Sequence, residues 1–300
     1  MKRTILFRGT ATALVTPFLR NGGVDTGTLR RLVDRQIKGG VEALVPVGST
    51  GEGATVSEEE QAAIIETVVD QVNGRVPVIA GASSNSTSRA IALARTARER
   101  GADAILTVAP FYNKPTQEGL FRHFRSIAEA ADLPVVIYNV PGRTASNIDA
   151  GTALRLAEQV PTIAGVKEAS ANFGQIMEIL AHRPKGFGVW SGDDNLTLPL
   201  VALGADGVIS VVSNEVPKLF SAMVRNALAG KFDRARTAHN RLLPLMNANF
   251  IESNPIPVKA ALAMMGLAED VLRLPLVSLS DHNRPKLLAV LDDLTLLPRS

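Results

Sequence analysis

Short apolar, β-branched runs punctuate the first two-thirds of the chain, at residues 10–15, 41–48, 76–82, 103–110, 133–140, 162–169, 187–193 and 206–212. Hydrophobicity within them is continuous rather than alternating. That is the pattern of strands buried on both faces, as in a parallel sheet. Helical patterns lie between them. In 28–39 the residues Leu29, Leu32, Val33 and Ile37 share one face. Ser57 with Glu60 forms a capping box ahead of Ala62, Ile64, Ile65 and Val68. Segments 89–100 and 120–130 read the same way. The tripeptide Gly-Ala-Asp stands before two of the strands, at 101–103 and 204–206, where a helix turns into a strand.

Eight strands alternating with helices over about 230 residues predict an α/β fold, a (β/α)8 TIM barrel. A doubly wound sheet is the second choice. After Lys231 the strand signals stop, and 232–250, 257–267 and 285–297 are helical. The expected organisation is a catalytic barrel over 1–230 and a C-terminal helical domain over 231–300, packed tightly together because the join lacks linker character.

Composition narrows the classes. With 46% hydrophobic residues among 300, the chain can bury a large core. Lys and Arg number 32 against 29 Asp and Glu, and no basic tract exceeds two residues, which argues against a nucleic-acid partner. The absence of cysteine removes disulfides, thiolate nucleophiles and Cys-ligated metals, and it suits the cytosol. The opening MKRTILF starts like a secretory leader, but Arg8 and Gly9 cut its apolar segment short. No run of 18 apolar residues exists, so a cytoplasmic protein without a membrane partner is expected.

In such a barrel the chemistry gathers at the carboxyl ends of the strands. Those ends read Gly48-Ser49-Thr50-Gly51-Glu52, Phe111-Tyr112, Tyr138-Asn139-Val140-Pro141-Gly142-Arg143, Lys167-Glu168 and Ser191-Gly192-Asp193-Asp194. Both tyrosines of the chain are among them. Lys167 ends an apolar strand. It is either a snorkelling or Glu168-paired lysine, or an amine whose burial lowers its pKa and frees a lone pair to attack a carbonyl. No cysteine competes as nucleophile, and His123, His182, His239 and His282 are scattered. Ser49 and Thr50 lie in a Gly-rich turn without the spacing of a phosphate loop, though its N–H groups could nest a carboxylate. Tyr138 and Tyr112 are core aromatics or, with Ser49, proton carriers. Arg143 is a loop charge or a carboxylate clamp. Asp193 and Asp194 lack a third ligand of suitable spacing, so no catalytic metal is expected.

The motifs ALVTPF (13–18), GSTGE (48–52), YNKPTQEG (112–119), YNVPGRT (138–144), GVKEAS (165–170), SGDD (191–194), DGVISV (206–211) and NPIPVK (254–259) resemble, in order and over nearly the whole chain, the dihydrodipicolinate synthase family of pyruvate-dependent class I aldolases. The resemblance implies a homotetramer of tight dimers, with no cofactor beyond a covalent lysine imine. It implies condensation of pyruvate with L-aspartate 4-semialdehyde in the diaminopimelate route to lysine. Lys167 would form the imine and Tyr138 would donate and accept the proton. Ser49, Tyr138 and Tyr112 would make the relay, Tyr112 coming from the neighbouring subunit. Thr50 and Ile209 would contact pyruvate, with Gly192 among the substrate-binding residues, and Arg143 would receive the semialdehyde carboxylate. Two departures stand out. Ser49-Thr50 replaces the common Thr-Thr, a change shared with N-acetylneuraminate lyases and keto-deoxy-sugar acid aldolases, which remain the alternative beside a non-catalytic carboxylate-binding barrel. Phe111 replaces a common tyrosine. With Arg89 and Gln61 at positions where regulated members carry an acid and an imidazole, it implies insensitivity to L-lysine.

Overall fold

A computed structural model describes residues 4–298. The eight strands are β1 (Gly9–Ala13), β2 (Ala43–Val45), β3 (Ile79–Gly81), β4 (Ala104–Val108), β5 (Val135–Asn139), β6 (Ile163–Glu168), β7 (Gly188–Ser191) and β8 (Gly207–Ser210). Seven fall inside the apolar runs, and β1 begins one residue before its own. All pair in parallel, in the order β2-β1-β8-β7-β6-β5-β4-β3. A parallel bridge from Leu44 to Val78 joins the two ends. There Leu44 N–H donates to Pro77 O at 3.0 Å and Gly81 N–H to Pro46 O at 2.9 Å. The ring closes into the barrel, and the doubly wound alternative falls away.

The continuous apolar pattern now has its cause. Ala11, Val45, Leu106, Val136 and Ile209 fill the barrel, while Leu44, Ile105, Ile137, Val166 and Val189 point out against the helices. Trp190 closes the interior, stacked on Phe7 with ring centroids 4.8 Å apart. A Cβ at Gly165 or Gly188 would come within 2.6 or 2.2 Å of its ring, so these strand glycines make the room it occupies.

The helices around the barrel are α1 (Thr26–Lys38), α2 (Glu58–Val72), α3 (Thr87–Glu99), α4 (Gln117–Ala131), the single turn α5 (Pro141–Thr144), α6 (Ala150–Gln159), α7 (Phe173–His182), α8 (Thr197–Ala202) and α9 (Pro217–Leu228). The Ser57–Glu60 capping box is formed in both directions at the start of α2. The two Gly-Ala-Asp tripeptides do one job twice. Gly101 and Gly204 take positive φ after their helices, and Asp103 and Asp206 accept the N–H of Val78 and Val189 at the start of the preceding strand. Beyond Lys231 come α10 (Phe232–Ala248), α11 (Ile256–Met264) and α12 (Arg284–Asp293). Leu242, Leu245, Ala260 and Leu287 from these helices share a core with Val208 of β8 and Phe220 of α9. The segment 294–297, expected to continue α12, lies outside the helix, with a turn at 294–295. Thr295 sits at φ 58°, outside helical geometry. Among the described residues no helix is long and apolar enough to cross a membrane.

Candidate active site

The strand register decides which side chains meet. Tyr138 on β5, Lys167 on β6 and Trp190 on β7 lie side by side. Since Val136 and Tyr138 face inward, so does Lys167. It is 5% exposed, with Nζ 4.3 Å from the centre of the Tyr138 ring. Glu168, one residue on, turns to the opposite face. There it accepts hydrogen bonds from Asn139 Nδ2 at 3.2 Å, Gln175 Nε2 at 3.1 Å and Ser170 N–H at 2.8 Å. A Lys167–Glu168 ion pair is thereby ruled out, and the amine is buried for another reason.

Burial pulls the Lys167 pKa down to about 8, with the Arg143 charge adding to the descent, while Asp193 and Asp194 pull the other way. Burial raises Tyr138 to about 12, against the opposing pull of Arg143 and of a side-chain hydrogen bond with Ser49. The phenol is therefore fully protonated at neutral pH, and the amine is within reach of its neutral form. Asp193 is raised by burial and held down by Lys167. Asp194, raised to about 6 by burial, accepts the N–H groups of Val211 and Val212 through Oδ2. Among the described residues no three His, Asp or Glu side chains gather as a metal site.

A cavity of about 320 Å³ opens above Tyr138, walled by Val47, Ser49, Leu106, Phe111 and Arg143. Lys167 does not line this cavity itself but lies against the Tyr138 ring that does. Gly192 lies against the lysine stem. A Cβ there would stand 3.1 Å from Lys167 Cε and 2.6 Å from Ala169 Cβ. Ile209 shares the barrel interior with Tyr138. Thr50 is buried beside Ser49. Tyr112 alone among the expected residues stays apart, its side chain 89% exposed and its backbone at φ 75°.

Two residues that sequence reasoning did not single out join the site from the C-terminal segment. Asn254 donates from Nδ2 to Thr50 Oγ1 at 2.9 Å, and its carbonyl accepts from Arg143 Nη2 at 3.1 Å. Lys259 is a second fully buried lysine, and its Nζ donates to Glu52 and to Thr16 O. Burial lowers its pKa as well, but the Glu52 carboxylate bonded to its Nζ pulls the other way and occupies the amine, which separates it from Lys167 as a nucleophile. Both residues lie in the NPIPVK motif, which carried the resemblance but no role.

Fold and site together define a (β/α)8 barrel with a buried lysine of lowered pKa where the strands end, the arrangement that Schiff-base enzymes use. The particular family follows from comparison with known proteins. The chain belongs to the dihydrodipicolinate synthetase family, whose sequence profile matches residues 6–294. It is 54% identical to the 4-hydroxy-tetrahydrodipicolinate synthase of Koribacter versatilis, over 93% of each chain. The dihydrodipicolinate synthase structure from Thermotoga maritima superposes with a TM-score of 0.95 at 45% identity, covering 97% of this chain and all of that one. The enzyme from Cyanidioschyzon merolae, solved with lysine bound, is 40% identical with the same TM-score, covering 98% of this chain and 100% of its own.

Proposed function

We propose that this protein condenses pyruvate with L-aspartate 4-semialdehyde to give 4-hydroxy-tetrahydrodipicolinate and water. The desolvated Lys167 beside Tyr138 carries the reading. At a pKa of about 8, about a tenth of the amines are neutral at pH 7, against about three in ten thousand for an ordinary lysine. The neutral amine adds to the pyruvate C2 carbonyl, and the carbinolamine loses water to an iminium. Loss of a C3 proton gives an enamine, and its carbon attacks the aldehyde, whose oxygen takes up a proton. The semialdehyde's amine then attacks C2, closing the ring and releasing Lys167.

Loss of water from the carbinolamine needs a proton donor at pH 7, and Tyr138, protonated there and hydrogen-bonded to Ser49, supplies it. The tyrosinate left behind takes the C3 proton and returns it to the aldehyde oxygen. Tyr112, exposed in its own chain, completes the relay in a neighbouring copy within a cytoplasmic homotetramer of tight dimers. Arg143, on the rim of the cavity, receives the semialdehyde carboxylate, and Thr50 and Ile209 hold pyruvate. The names of the relatives and the Arg143 position favour this reaction over a sugar-acid aldolase. Residues 1–230 supply the chemistry, and 231–300 form the helical domain that supports it.

Borohydride reduction in the presence of pyruvate tests the reading. The reduced adduct should appear on the peptide holding Lys167 and not on that holding Lys259. An unmodified Lys167 under saturating pyruvate would overturn it.

A further inference from the structure

The turn after β2 is tied to the C-terminal segment at several points. Lys259 and the Arg273 N–H hold the Glu52 carboxylate, and Arg273 also donates to Thr55 O and to Glu60. Lys259 and Arg273 both stack on the Phe18 ring, at 4.2 and 4.4 Å. These ties fix where α11 begins, and hence where Asn254, two residues before it, stands.

Asn254 is 94% buried, since its exposure is 6%. Only one end of its side-chain amide is used by the fold: Nδ2 donates to Thr50 Oγ1, while Oδ1 has no hydrogen-bond partner. A buried amide left half satisfied costs stability, so packing alone does not account for it. Its effect falls on Thr50. A threonine hydroxyl has one proton and two lone pairs. With one lone pair receiving the asparagine N–H, the hydroxyl proton must point elsewhere. Among the described residues, nothing accepts that proton.

We propose that Asn254 is a positioning residue: by donating to Thr50 Oγ1 it turns the Thr50 hydroxyl proton outward to meet the pyruvate carboxylate. This rests on the reading in which Thr50 contacts pyruvate. The same residue's carbonyl holds Arg143, so one point of the C-terminal segment serves the groups that face both substrate carboxylates.

Asn254→Asp tests it. The aspartate cannot donate, so it accepts the Thr50 proton and reverses the hydrogen bond. The pyruvate concentration giving half-maximal borohydride trapping on Lys167 should rise about tenfold or more, the loss of one hydrogen bond to a charged group. Thr50→Val should raise it similarly. In the Thr50→Val background Asn254→Asp should have little further effect, because it acts through that hydroxyl. Melting temperatures and Asn254→Ala, measured in parallel, separate this from a folding defect. If the aspartate variant folds poorly, Asn254→Ala takes its place in the same cycle. Unchanged half-saturation overturns the inference alone. So does an effect that adds in full to that of Thr50→Val, which would mark simple charge repulsion. Wild-type protein that traps no pyruvate on Lys167 overturns both this inference and the reading beneath it.

Discussion

Lys167 is costly to the fold for the same reason that it suits the proposed chemistry. Its pKa is about 8 in the folded chain and 10.5 when hydrated, so folding expels a proton or buries a charge. The sign is therefore destabilising: the cost is fully present below pH 8 and fades as pH rises through 10.5. Lys167→Met should abolish turnover yet raise stability at pH 7 by up to about 3 kcal/mol. Denaturant titrations should show that advantage shrinking between pH 8 and 10.5. An advantage independent of pH would mean that something other than desolvation sets it. Arg143 acts on the amine and, in the proposed reaction, on the second substrate. Arg143→Ala should weaken semialdehyde use by roughly 1.5–3 kcal/mol while the pyruvate imine still forms. Because the guanidinium helps depress the lysine pKa, its removal should also move the rising limb of the imine-formation pH profile upward. Equal condensation by variant and wild type would reduce Arg143 to a loop charge.

At the scale of elements, the turn after β2 and the start of α11 behave as one unit, joined by the buried Lys259–Glu52 pair. Such pairs contribute little net stability, but breaking one leaves a buried charge without its partner. Lys259→Met should destabilise the chain by about 3–5 kcal/mol. The double variant Lys259→Met with Glu52→Gln should recover most of the loss, since the amide can still accept the Arg273 N–H. Chemical denaturation of the three proteins decides this. A single variant that melts like wild type would show that water, not protein, solvates Glu52. The Ser57 capping box and the paired Gly-Ala-Asp turns were legible in the sequence because they are local, with each partner within a few residues or in a repeated context. The unit built on Lys259 was not, since its partner lies 207 positions away.

For the molecule as a whole, Tyr112 decides whether one chain suffices. If it serves a neighbour's site, Tyr112→Phe and Lys167→Ala proteins, each inactive, should regain activity when dissociated and reassembled together. Mixed dimers without activity would place Tyr112 outside the chemistry. Insensitivity to L-lysine is a second expectation for the whole molecule. Arg89 pairs with Glu58 at 3.1 Å, Gln61 donates to Gly81 O, and Phe111 offers no hydroxyl beside the cavity. Nothing in this set attracts a second ammonium. L-Lysine at millimolar concentration should therefore leave the rate unchanged, and clear partial inhibition with calorimetric binding would refute this.

The amino-acid order by itself determined the count of strands, their burial on both faces, the helices between them, and the gathering of Lys167, Tyr138, Ser49 and Arg143 at strand ends. Hydrophobic periodicity and turn chemistry act over a few residues, and the barrel then converts strand ends into one place. Tertiary structure alone decided that Lys167 faces inward with Tyr138 while Glu168 faces out, because inter-strand register sets that alternation. It alone brought Asn254 to Thr50 across 204 residues and exposed Tyr112 on its own chain. Such contacts depend on where packed helices come to rest, and no short-range pattern encodes that.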